Sequence, residues 1–93
     1  MTSEKIISVI EMYEKRLCKT DIPKVRMDPE RKFSSLNRVE ILMHAHYLCD
    51  GVKKLAKDPH KRRKTGSHLA AVQMCLGFAG WYTLKQLMEH NRP

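Results

Sequence analysis

Between Lys53 and Lys64 the chain reads KKLAKDPHKRRK, which gathers Lys53, Lys54, Lys57, Lys61, Arg62, Arg63 and Lys64 against a single acid, Asp58. Cations concentrated in this way release condensed counterions when they meet a phosphate backbone. That gives affinity for nucleic acid without any reading of base sequence. The same run also suits an acidic protein surface, and it reads equally as a solvated turn between two helices. No helix-turn-helix spacing surrounds it, and no aromatic–basic alternation of the kind that stacks single-stranded bases.

His44, His46 and Cys49 are the residues with the chemistry of metal ligands. His46 and Cys49 are three apart, so a helix would put them on one face. A structural zinc site is usually assembled from two such close pairs, and here one pair stands alone. Asp50, four residues after His46, offers that imidazole an ordinary helix-surface partner instead. Nucleophilic catalysis has even less support. There is no glycine-rich phosphate loop, no nucleophile elbow and no paired acidic site, and Cys18, Cys49 and Cys75 all fall on apolar faces as buried, inert thiols. The expectation is a protein that binds and does not catalyse, with neither metal nor cofactor.

These side chains have to be positioned by helices. Ile6, Ile10, Tyr13 and Leu17 recur at helical spacing and predict a helix over Glu4–Cys18, capped by Ser3 or Thr2. Lys19 to Ser34 contains Pro23 and Pro29 and is expected to wrap the core through Ile22, Val25, Met27 and Phe33. Ser35 caps a second helix, Leu36–Lys57. It carries one apolar stripe (Ile41, Ala45, Leu48, Val52, Leu55) and another nearly opposite (Val39, Met43, Tyr47), which predicts a central helix. Asp58-Pro59 then reads as a cap with proline at the first helical position. The third helix therefore starts near Pro59 or, with Lys64-Thr65-Gly66 as loop, near Ser67. The earlier start, Pro59–Ala79, places five basic side chains near a helix N-terminus, against the helix dipole.

The stretch after Ser67 organises the fold. Leu69 to Phe78 has Gln73 as its one strongly polar residue and is expected to be buried nearly all round. Gly66, Ala70, Gln73, Gly77 and Gly80 share a narrow arc with little side-chain bulk, suited either to packing within the chain or to a homodimer seam. Gly80 ends this helix in the left-handed conformation, and Thr83 with Gln86 forms a capping box for a short helix over Leu84–His90. The segment LGFAGWYTLKQLMEHNRP, in which a helix stops at a glycine and the chain closes on Asn-Arg, resembles the C-terminal part of small helical proteins encoded in phage and prophage genomes. That resemblance implies a bacterial cytoplasmic setting and an accessory, non-enzymatic role; no functional residue carries over with it.

Ninety-three residues with 18 Lys+Arg against 10 Asp+Glu make one small domain of net charge +8, a bias toward anionic partners. There is no apolar run long enough to span a bilayer, and the N-terminal MTSEKIISVIEMYEKR lacks the pattern of a signal peptide. The fold expected is all-α: one domain over residues 1–93, with three main helices and a short fourth.

Overall fold

The computed structural model describes all residues from Met1 to Pro93 and contains α-helices and two short 3₁₀ turns, without strands. The helices are α1 (Ser3–Lys19), α2 (Arg38–Ala56), α3 (Arg62–Phe78) and α4 (Leu84–His90). The all-α expectation holds, and α4 matches its predicted span. Thr2 caps α1 by accepting from the Lys5 N–H, and Thr83 with Gln86 forms the expected capping box on α4. The start of α2 differs from expectation. Ser35 ends a 3₁₀ turn, Phe33–Ser35, and Asn37 is the cap, bonded reciprocally to Glu40 in a second capping box. The early start of the third helical segment is also seen, as a 3₁₀ turn over Pro59–Lys61 that runs into α3.

Two helices end alike. Gly80 has φ +81°, the Trp81 N–H reaches the Leu76 carbonyl (3.0 Å), and the Gly80 N–H reaches that of Gly77 (3.0 Å). This Schellman closure satisfies carbonyls that the helix end would otherwise leave free. α1 closes in the same way on Asp21 (φ 57°), with the Ile22 N–H on Leu17 and the Asp21 N–H on Cys18. A left-handed aspartate is tolerated better than most residues, and the turn delivers Ile22 into the core.

α2 makes the most extensive packing of the helices, against both α3 and α1. Val9, Ile10, Tyr13 and Leu17 from α1 meet Leu42, Ala45, Cys49 and Val52 from α2 and Leu69, Val72, Cys75 and Leu76 from α3 in one cluster. Each fully buried Ile, Leu or Val contributes about 1.5–3 kcal/mol relative to exposure. The stripe on α2 is rotated from the one expected, since Leu42, His46 and Cys49 are buried while Val39 and Tyr47 are exposed. α3 is not buried all round either: Met74 and Phe78 are exposed. α1, α2 and the short α4 cover the inner side of α3, and the face that carries Met74 and Phe78 is left open.

The small-residue arc of α3 is partly taken up within the chain. A Cβ on Gly77 would lie 3.4 Å from Leu87 Cδ1 of α4, so α4 packs where the side chain is missing. Gln73 is buried, donating to Tyr13 Oη (3.1 Å) and pairing reciprocally with the Asn91 amide (2.7 and 3.1 Å). Tyr13 Oη, which accepts from Gln73, is also hydrogen-bonded to His90 Nδ1 at 2.7 Å. Ala70 and Gly80 stay exposed. Arg16 lies over the rings of Trp81 (4.3 Å) and Tyr82 (5.0 Å), fixing the turn between α3 and α4 to α1.

The loop between α1 and α2 wraps as expected, but through only two of its four expected anchors. Ile22 is buried and Met27 half-buried, whereas Val25 and Phe33 are exposed. Backbone and charge do the remaining work: Val25 N–H to the Met43 carbonyl (3.3 Å), Lys24 to Asp50 (3.1 Å) and Arg31 to Glu40 (2.6 Å). No helix is long and apolar enough to cross a membrane.

Candidate anionic-partner interface

The seven predicted cations lie on both sides of the α2–α3 turn, and the fold divides them. Lys53 is drawn toward α1 and pairs with Glu14 at 2.8 Å; this bond holds its ammonium above the ordinary lysine pKa. Lys54 faces the other way and shares a concavity with Lys61, Lys64, Asp58 and His68. Lys61 and Lys64 also border the adjoining surface with His60, Arg63 and Ser67. Arg62 turns to a third face, beside Met1, Ser3 and Ile6 of the N-terminal segment. Lys57 is the exposed C-cap of α2.

Charge compensation separates them more sharply. The chain has three salt bridges, Lys24–Asp50, Arg31–Glu40 and Lys53–Glu14. Lys54, Lys57, Lys61, Arg62, Arg63 and Lys64 are therefore free of carboxylate partners. Asp58, the acid among them, accepts from the His60 N–H as the cap of the 3₁₀ turn. α3 itself begins with Arg62, Arg63 and Lys64, with no acid in its first turn, unlike α1 and α2, and no side-chain cap, unlike α1, α2 and α4. Cations at a helix N-terminus oppose the macrodipole by about 0.3–1 kcal/mol each. An anion arriving there would meet both the side-chain charge and the positive end of the helix.

His68, His60 and Ser67 belong to this surface beside the seven predicted cations. His68 Nδ1 lies 2.9 Å from the Lys64 carbonyl, to which its N–H donates, and His68 lines the same concavity as Lys54. The signal was available: Lys61, Lys64 and His68 are spaced three and four apart, one face of α3.

The histidines and cysteines considered as ligands have other occupations. His46 is buried, with Nδ1–H donating to the Ile22 carbonyl at 2.7 Å, which fixes the Schellman turn of α1 against α2. His44 Nδ1 accepts from the Met27 N–H at 3.3 Å, and burial, with Arg26 nearby, keeps its pKa below the ordinary value. Cys49 is buried and pushed up to about 12 by that burial; Cys75 is raised by the same cause. Cys18 is exposed, contrary to expectation, because it sits one residue past the buried stripe that Leu17 closes. Its Sγ lies 3.9 Å from His46 Nε2. No three His, Cys, Asp or Glu side chains converge as a metal-holding group. No protein-family model matches the chain, nor does any curated protein or solved structure.

Proposed function

We propose that this is a small, non-enzymatic accessory protein that binds nucleic acid through the α2–α3 junction, with Lys54, Lys57, Lys61, Arg63 and Lys64 meeting phosphates. Arg62 contributes from the adjacent face, and Lys53 contributes least because Glu14 already neutralises it. The observation that carries the reading is six cations without a carboxylate partner around one uncapped helix start. Charges crowded where the helix field opposes them become favourable once an anion shares the site. The contacts go to phosphates, so binding is largely independent of base sequence and weak at physiological salt, with Kd of about 1–100 µM.

A second reading, an adaptor that meets an acidic protein surface, is favoured by one feature. The basic concavity continues along the α2–α3 seam into an apolar trench, which a polypeptide can use and a phosphate backbone cannot. Fluorescence anisotropy with a labelled 20-base-pair duplex at about 50 mM salt tests the first reading. Wild-type protein is expected to bind, and Lys61→Gln/Arg63→Gln/Lys64→Gln to lose most of the affinity. Absence of binding by the wild type, or equal binding by the triple variant, would remove the nucleic-acid reading.

A further inference from the structure

At the end of the seam remote from the basic junction, α2, α3 and the loop before α2 enclose a trench of about 230 Å³. Its lining is almost wholly apolar: Phe33, Leu48, Ala71, Met74 and Phe78, with His44 at one wall. Three of these are large and well exposed, Phe33 at 57 %, Met74 at 50 % and Phe78 at 64 %. Scattered exposed apolar residues need no explanation, but a contiguous concave set does. We propose that this trench docks an amphipathic helix from another protein, one whose apolar face is flanked by acidic residues.

The occupant follows from charge and shape. α3 carries no Asp or Glu over its whole length. On α2 the acids at either end of the trench-facing segment, Glu40 and Asp50, are neutralised by Arg31 and Lys24. Arg26 lies close enough to His44 to act on it at one wall of the apolar floor, and beyond His68 the seam turns basic at Lys64, Lys61 and Lys54. Leu48 is shared between the trench and a concavity that includes Gly51 and His68, and Gly51 and His68 are shared with the basic concavity beyond. From Lys61 to Phe78 the seam runs about 25 Å at 1.5 Å per residue, the length of a helix of roughly 16–18 residues. Such a helix would place its apolar anchors between Phe33 and Phe78 and its acids toward Lys54, Lys61 and Lys64. A second copy fits poorly, because it would bring two chains of charge +8 face to face. A two-walled trench is also a worse match to a bilayer than to a rod.

The test uses three probes on the full chain, each read by anisotropy or co-sedimentation. One is a labelled 18-residue peptide with leucines at i, i+4, i+7 and i+11 and glutamates on both flanks; the second is the same peptide with lysine flanks. The third is a vesicle of phosphatidylglycerol and phosphatidylcholine. The glutamate peptide should bind at least about tenfold tighter than its lysine counterpart, and Met74→Ser/Phe78→Ser should weaken it about tenfold or more. Both side chains are exposed, so this variant keeps its helix content and midpoint of unfolding. Duplex DNA binding by the same variant should change less than about twofold, because the phosphate-contacting cations are untouched. If DNA fails to bind wild type while the peptide does, the junction reading falls and this one stands. The inference is overturned if the glutamate peptide does not bind, if the lysine peptide binds equally, or if Met74→Ser/Phe78→Ser leaves its affinity unchanged. It is also overturned if that variant abolishes vesicle binding, or if it dissolves a dimer seen in sedimentation of the wild type, since either result names a different occupant.

Discussion

Gly77 provides a test in which two substitutions at one position should move stability in opposite directions. It lies inside α3, where glycine costs a helix about 1 kcal/mol relative to alanine. A Cβ there would meet Leu87 Cδ1 at 3.4 Å, an ordinary van der Waals distance to the end of a flexible side chain. Gly77→Ala therefore gains most of the helix term and adds a contact, for a net stabilisation of about 0.5–1 kcal/mol. Gly77→Leu has to put three more carbons where α4 packs, and overpacking of that kind costs about 1–3 kcal/mol. Gly80→Ala, three residues on, should be destabilising by about 1–2 kcal/mol, because φ +81° is a left-handed position that a Cβ penalises. Urea unfolding followed by the fluorescence of Trp81, which sits in the α3–α4 turn, measures all three. The predicted order of midpoints is Gly77→Ala above wild type, then Gly80→Ala and Gly77→Leu below it. If Gly77→Ala were as destabilising as Gly77→Leu, α4 would not be packed against this face as described.

Two further outcomes follow from buried groups. His90 and His44 are both held below the ordinary value of 6.5, chiefly by burial. His90 faces Tyr13, Tyr82, Lys5 and its neighbour Glu89; His44 faces Arg26, Tyr47 and the Met27 amide. Their contribution to stability is fully present above pH 6.5 and is lost as pH falls toward the lowered folded values, because the unfolded chain takes up the protons first. The urea midpoint should fall as pH drops below 6.5, and Tyr13→Phe should change that dependence by removing the hydroxyl bonded to His90; a midpoint that is flat or rises below pH 6.5 would contradict the assignment. Thiol titration with an aromatic disulfide in native buffer should modify one cysteine quickly, Cys18, and reach Cys49 and Cys75 only on unfolding. Cys18→Ser should abolish the fast phase; two or three fast thiols in the wild type would show that the core thiols are not enclosed.

Much of the helical framework was legible in the sequence because it is written in local rules. The α1 stripe, the capping box at Thr83 and the left-handed Gly80 each depend on residues within one or two turns of each other. What escaped was set by tertiary neighbours. The Asp21 closure of α1 uses an aspartate where glycine is the usual sign, so the turn that buries Ile22 carried no obvious mark. Val39, Tyr47, Met74 and Phe78 looked like core because their types are apolar, yet nothing in a three-helix arrangement covers those faces. The basic junction was visible as a run of charge, but a linear run cannot show that Glu14, thirty-nine positions before Lys53, removes that lysine from the set. His68 lies outside the run of charge, and only the three-and-four spacing of Lys61, Lys64 and His68 marks it as part of the same surface.

The central claim, that the unpaired cations of the junction meet phosphates, is tested most directly by the salt dependence of duplex binding. Each phosphate contact contributes about 0.9 to the slope of log K against log salt, so Lys61→Gln/Arg63→Gln/Lys64→Gln should lower the magnitude of that slope by about 2.7. Lys53→Gln, whose ammonium is already paired with Glu14, should leave the slope nearly unchanged. A wild-type slope that the triple variant does not reduce, or one that Lys53→Gln reduces as much per charge, would contradict the account.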